Sequence, residues 1–471
     1  MRRFAIGPWM TWAGLVVAGC GRTVTPTGAN AADATPDIAV AADTPVVAMD
    51  VPLPPGDGPV SRPDLGPPLD EPPGCSRFHA ADLLFVIDNS GSMAANQAIF
   101  SRSLAGLFAA FGAQGASLQV GVVSTDLGTP GSTVPSCANS DLGDDGLLNP
   151  IHYGQAIRSH QPWTTAPAGA RPSPCTNDPN QYPSFLSFDA ASTNPTEFRD
   201  TVVCIAYLST NGCGLEQPLE SAYRALVVHD SREQWGNTDP NAGFVRPYAV
   251  LGIVMLTDEE DGSVRDCRYA ESGVPCTDGI GVFDSTSAAW ASTDLNLRFY
   301  MYSPGSAQDP TWSLDRYLDP SRPRRGFTSL KPDAPQLVVF GAIAGVPLQM
   351  PTTPSGGLDW NTLLGRNADG SDGYTGMSPE GPISMRQRNA DPGCSTRVVP
   401  ACRREGSSYD PTHPECTFPG PYFAHPSRRV AQVVRRFDET YRNGVLGSIC
   451  RNDYSEFMSA FARQVASRYC P

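Results

Sequence analysis

A doubly wound α/β fold built on a mostly parallel sheet is predicted by three observations. Residues 83–87, Leu-Leu-Phe-Val-Ile, form an apolar run short and branched enough for a strand covered on both faces. Similar runs recur at 118–124, 248–256 and 336–344. The segments between them include stretches with the 3.6-residue period of amphipathic helices, and strands alternating with helices give parallel sheets covered on both sides.

The first strand spans 81–88, and a helix follows over 94–113 with Phe100, Leu104, Leu107, Phe108 and Phe111 on one face. The second strand, 118–124, alternates and is β-branched. Asp126 stands at its exit, where it serves either as a loop cap or as part of a ligand site. From 128 to 188 Pro, Gly, Ser and Asn dominate, which marks an insertion loop. Its segment 141–146 lacks EF-hand spacing and reads as an acidic turn, as does 367–373.

A helix is expected over 196–208, then a loop over 210–219 leading into a helix to about 228. The strand at 248–256 empties into Asp258-Glu259-Glu260-Asp261. Four acids in a row repel one another, a cost tolerated beside a cation or in bulk water. A second insertion occupies 262–294, residues 295–302 alternate weakly, and 336–344 supplies another buried strand. The polar, proline-rich stretch 347–425 is too long for a plain connection and reads as a cover or a disulfide-stapled insertion. A helix over 428–442, an edge strand at 445–449 and a closing helix over 454–469 complete the chain.

The chemistry-bearing stretch is the exit of the first strand, Asp88-Asn-Ser90-Gly-Ser92. One carboxylate and two hydroxyls at alternate positions let a curling turn aim three oxygens at one hard cation, Mg2+ first, with Mn2+ or Ca2+ as alternatives. The plainer reading is a turn with an N-cap for the next helix. A hydrolase would need a base beside these serines, and neither Gly-x-Ser-x-Gly nor His-Glu-x-x-His occurs. His79, the histidine nearest in sequence, precedes the first strand and is expected at its opposite end.

Composition limits the partners. The net charge is −14 and Lys331 is the only lysine, which argues against nucleic acid and against charge-driven binding to an anionic membrane. Arg2 and Arg3, an apolar stretch to Val17 and the sequence Val-Ala-Gly-Cys20 resemble a lipoprotein signal. Residues 1–19 are then a signal peptide, Cys20 carries lipid, and the mature charge becomes −16 because two arginines leave. Gly21 after the lipidated cysteine fits sorting to a Gram-negative outer membrane, so the expected location is the bacterial cell envelope. Residues 20–75 are Pro-rich and almost free of aromatics, a disordered tether with a reach of roughly 40 Å as a coil.

Of 13 cysteines, 12 remain beside Cys20, an even number that suits disulfides in an oxidising compartment. Close spacing suggests Cys204 with Cys213, Cys267 with Cys276 and Cys450 with Cys470, with Cys137 and Cys175 as a further pair. Zinc is disfavoured because no Cys-x-x-Cys occurs.

Asp88-x-Ser90-x-Ser92 after an apolar strand resembles the metal-ion-dependent adhesion site (MIDAS) of von Willebrand factor A (vWA) domains. With the lipobox, the tether and Gly-Ser-Ile-Cys-Arg-Asn-Asp-Tyr at 447–454, the chain is similar to vWA lipoproteins of myxobacteria and their relatives. The resemblance implies that 76–471 is one vWA domain with insertions at 128–188, 262–294 and 347–425. It implies a divalent cation held by Asp88, Ser90, Ser92 and Asp258, with an open position for an acidic side chain of a protein partner, as in cell adhesion. It implies binding, not catalysis. The chain departs from the family at the threonine that normally joins the site: Cys213 or Gly214 stands there, leaving Thr210 or Glu216 as substitutes, or a water. A structural envelope protein with a metal-free site is the alternative.

Overall fold

The computed structural model describes residues 76, 79–134, 136–137, 140–148, 175, 182–190, 192–228, 241–270, 275–284, 286–287, 295–319, 326–374, 377, 401–405 and 423–470. Residues 1–75, on which the expected signal peptide, lipidated Cys20 and tether fall, lie outside the described residues. Among the described residues no helix is long and apolar enough to cross a membrane.

The strands are β1 (Ala80–Ile87), β2 (Ser117–Ser124), β3 (Leu186–Asp189), β4 (Val250–Leu256), β5 (Val338–Ala344), β6 (Cys402–Arg403), β7 (Phe423–Ala424) and β8 (Gly444–Ser448). Six of them form one largely parallel sheet in the order β3-β2-β1-β4-β5-β8, and β6 pairs with β7 in a separate antiparallel ribbon. Only β3 runs antiparallel within the large sheet. It falls at the end of the stretch expected to be an insertion loop, because four residues are too few for a period-2 signal to stand out.

The unbroken apolar run of β1 is fully buried. Successive side chains leave a strand on opposite faces, so Leu83, Phe85 and Ile87 join one core while Leu84 and Val86 join the other. The first core is closed by α1 (Ala94–Ala113), α2 (Pro195–Ala206) and, at the chain end, α5 (Ser455–Ala466). Phe100 meets Phe85 edge-on at 5.3 Å. Gly341 in β5 is needed here: a Cβ would come within 2.8 Å of the Phe461 ring of α5. The second core lies under α3 (Pro218–Tyr223), which continues as a π-turn over Arg224–Val228, and α4 (Arg428–Tyr441), where Phe437 stacks on Phe340 at 5.2 Å. The weakly alternating stretch at 295–302 is helical, a turn over Leu295–Arg298 running into Phe299–Met301.

The disulfides correct the expected pairing in three places. Cys267–Cys276 forms as its spacing suggests. Cys137 joins Cys213 and Cys175 joins Cys204, so the insertion after β2 is stapled to the domain at two points instead of to itself. Cys450 joins Cys402, not Cys470. The reason is geometric: Cys450 follows β8 at the C-terminal edge of the sheet, and α5 then runs about 18 Å back along it. Cys470 thereby reaches Ser76 at the other end, where its N–H donates to the Ser76 carbonyl at 2.9 Å.

Candidate functional site

β1 pairs with β2 on one side and β4 on the other, so the chain leaves their C-terminal ends in opposite directions and opens a crevice there. Asp88 ends β1, Thr125 and Asp126 follow β2, and Thr257 and Asp258 follow β4. The strand register therefore brings residues more than a hundred positions apart to one place.

The Asp88 carboxylate is buried and accepts from the Ser90 N–H and the Thr257 hydroxyl, both at 2.8 Å. The Ser90 and Ser92 hydroxyls lie 3.1 Å apart, and the Ser92 hydroxyl donates to Asp258 Oδ1 at 3.1 Å. Ser90, Ser92 and Asp258 thus form a continuous line of oxygens. Gln97, in the first turn of α1, donates to the carbonyls of Asp88 and Ser209 at 2.8 Å and ties the motif to the loop at 209–217. That loop lies against the turn: Gly212 donates to the Asn89 carbonyl at 2.9 Å, and a Cβ on Gly212 would sit 2.1 Å from Asn89 Oδ1.

The loop delivers Glu216, not Thr210. Glu216 is buried and accepts a hydrogen bond from the Thr125 hydroxyl, while its other oxygen, Oε1, is buried without a hydrogen-bond partner. Thr210 is half-buried and makes no hydrogen bond to these residues among those described. Asp126 caps loops: it accepts from the Gly128 N–H at 2.9 Å and the Cys213 N–H at 3.0 Å.

Electrostatics set this site apart. Burial and then the charge of Asp88 push Asp258 up to about 8. Burial raises Asp88, against the hydrogen bonds that it accepts from Ser90 and Thr257. Burial, and then the charges of Asp88 and Glu259, hold Glu216 well above the usual carboxylate range. Three carboxyl groups packed this way disfavour their own ionisation, and a cation among them would relieve it.

The remaining acids of the 258–261 run have a different answer. Glu259 lines the crevice beside Asp258, and the segment 425–429, which enters α4, meets the run at the backbone of its first two residues and at the side chains of its last two. The His425 N–H donates to the Asp258 carbonyl at 2.7 Å and the Ser427 hydroxyl to the Glu259 carbonyl at 2.7 Å. Arg428 Nε reaches Glu260 at 2.6 Å and Arg429 Nε reaches Asp261 at 2.8 Å. Arginines likewise answer the acidic turn at 141–146, where Arg224 pairs with Asp145 at 2.8 Å, and the turn at 367–373, where Arg435 pairs with Asp372 at 3.0 Å. Arg429→Met should leave Asp261 buried without its partner and cost about 3–5 kcal/mol, read as a lower urea midpoint with an unchanged slope.

Thr257, Gln97 and the Arg428–Arg429 clamp were not singled out from the sequence. Gln97 did carry a signal, since it stands in line with Phe100, Ser101 and Leu104 on the buried stripe of α1. Among the described residues no three His, Cys, Asp or Glu side chains are grouped as metal ligands. The convergent donors are mainly hydroxyls. No histidine ring hydrogen-bonds to Ser90 or Ser92 among the described residues, and His79 stacks on Tyr469 at 5.0 Å near the opposite end of β1. The chain matches no protein-family model and no curated protein.

Proposed function

We propose that this chain is a cell-envelope lipoprotein whose vWA-type domain binds a protein partner through a divalent cation at the crevice between β1 and β4. The observation that carries this is the line of oxygens Ser90–Ser92–Asp258 beside the buried Asp88 and Glu216. Mg2+ holds oxygens at about 2.0–2.1 Å in an octahedron, which sets neighbouring ligand oxygens about 3 Å apart. The 3.1 Å steps along this line match that edge. The orphaned Glu216 Oε1 supplies a further acceptor and takes the place of the family's threonine.

In this reading Ser90, Ser92 and Asp258 hold the ion, Asp88 orients the serine turn through the Ser90 N–H, and Thr257 fixes Asp88. When bound, Mg2+ or Mn2+ supplies positive charge and an open position for a carboxylate of the partner. The parallel sheet order with one antiparallel edge strand supports a vWA-like arrangement of the domain. In this reading Asp258, to which the Ser92 hydroxyl donates, serves the ion and not a nucleophilic serine, and among the described residues no histidine ring hydrogen-bonds to Ser90 or Ser92.

A second reading, a structural envelope protein with a metal-free site, draws on the absence of a cluster of three His, Cys, Asp or Glu ligands among the described residues. Calorimetry decides between them. The chain is expected to bind one Mg2+ at pH 8, and Asp88→Ala is expected to lose that heat while keeping its far-UV circular dichroism. Capture of the same envelope protein only when the ion is present, and never by Asp88→Ala, would identify the partner. Equal Mg2+ heats for both chains would favour the metal-free reading.

A further inference from the structure

The large sheet ends at β8, which pairs with β5 on one side and, among the described residues, with no strand on the other. Two bonds fix the phase of that pairing. The Phe340 N–H donates to the Asn443 carbonyl and the Ile449 N–H to the Ala344 carbonyl, both at 3.0 Å, so the backbone groups that meet β5 belong to residues 443, 445, 447 and 449. Gly444 and Leu446 therefore direct an N–H and a carbonyl each away from the sheet, and no described residue hydrogen-bonds to them. At the C-terminal end of β8 the edge is covered: the Ser448 hydroxyl donates to the Val346 carbonyl at 2.7 Å and Arg451 to the Leu348 carbonyl at 3.0 Å. At the N-terminal end it opens into a groove whose floor is Gly444, Val445 and Leu446. The segment 353–361 forms one wall, and Ala460, Arg463, Gln464 and Ser467, a single stripe of α5 and its end, form the other.

Three acids line this groove, and each has a partner within the chain. Asp438 accepts from Trp360 Nε1 at 2.7 Å, Glu439 pairs with Arg435 at 3.0 Å, and Asp359 accepts from the Thr362 N–H at 3.0 Å and its hydroxyl at 2.7 Å. Arg442 and Arg463 are exposed in the same lining and form no ion pair among the described residues. Arg442 caps α4 in the left-handed conformation, φ 57°, two residues before the open edge begins. We propose that this groove is a docking site for an extended, acidic segment of a partner protein, which adds to β8 as a further strand. The unpaired groups of Gly444 and Leu446 are met by the backbone of such a segment, as at other open sheet edges. The two arginines select its charge. A second copy of this edge would bring further arginines to the groove, so charge favours a different chain. The groove lies at the end of the sheet opposite the crevice, and docking there makes no use of the cation.

The test is fluorescence anisotropy of the full mature chain with labelled acetyl-Thr-Val-Asp-Val-Asp-Val-Thr-amide, in Mg2+ and in chelator. The expected result is binding that is the same in both and falls with added salt. Replacing both aspartates of the peptide by asparagine should weaken it about fivefold or more. Arg442→Asn, which suits the left-handed position, and Arg463→Gln, on an exposed helix face, should each weaken the acidic peptide about twofold to fivefold and leave the asparagine peptide unchanged. Two further copies of the peptide carry N-methyl groups, one on its valines and one on its aspartates. Alternate N–H groups of a strand face opposite edges, so one copy should keep its binding and the other lose it. Loss in both copies or in neither overturns strand addition. Equal binding of the acidic and asparagine peptides overturns the selection of charge, and binding abolished by chelator assigns the peptide to the ion site and overturns the groove. A concentration-dependent dimer in sedimentation that the peptide dissociates overturns the partner and gives the edge to a second copy. No binding at millimolar peptide overturns the docking site altogether.

Discussion

Glu216→Gln is expected to stabilise the ion-free chain and to abolish most of its response to Mg2+. The wild-type carboxyl accepts from the Thr125 hydroxyl with one oxygen and leaves the other buried beside Asp88. A glutamine keeps the first contact through its amide oxygen and turns its NH2 toward Asp88, replacing a repulsion by a hydrogen bond to a charged group. Such a bond contributes about 1.5–3 kcal/mol. The expected readout at pH 8 in chelator is a higher urea midpoint for the variant than for wild type. The order should reverse when Mg2+ is added, because the variant has lost one negative charge from the site. A variant less stable than wild type in chelator, with an unchanged Mg2+ response, would show that Glu216 is an ordinary buried acid held by Thr125.

In chelator the wild-type chain is expected to lose stability as the pH rises from 5 to 8. The folded state holds the Asp258 proton up to about pH 8, whereas the unfolded chain releases it near the ordinary aspartate value of 3.8. Between those limits the native state binds more protons than the unfolded state, so the unfolding free energy falls with rising pH. Asp88 and Glu216, also raised by burial, act in the same direction. The loss should be on the order of a few kcal/mol, since each unit of displacement is worth about 1.4 kcal/mol. Mg2+ should restore stability at pH 8 and do little at pH 5, where protons compete for the same oxygens. Asp258→Asn should flatten the chelator profile. A profile that rises from pH 5 to 8 in chelator would mean that these acids are already compensated within the protein.

Much of the fold was legible because its strongest signals are local. The strands at 83–87, 248–256 and 336–344 are continuous apolar runs, and only a two-sided core explains runs of that kind. That Asp88, Ser90, Ser92 and Asp258 lie together was legible for a related reason: strand ends in a parallel sheet converge, so acids at two such exits meet. What stayed hidden depends on long-range closure. Cys204 and Cys213 are nine residues apart, yet each pairs with a cysteine of the insertion, because the insertion folds back over both. The four acids at 258–261 looked alike, and only the approach of Arg428 and Arg429 from α4 separates the two that are ion-paired from those at the crevice.

The proposed function requires one divalent cation on the Ser90–Ser92–Asp258 oxygens. Anomalous diffraction from crystals of the mature chain soaked in Mn2+ at pH 8 tests it most directly. A bound ion gives one strong peak at about 2.0–2.3 Å from the Ser90 and Ser92 hydroxyls, lying between Asp88 and Asp258 and absent from Asp88→Ala crystals. A crevice without a peak at millimolar Mn2+, or a peak only at exposed carboxylates elsewhere, would contradict it.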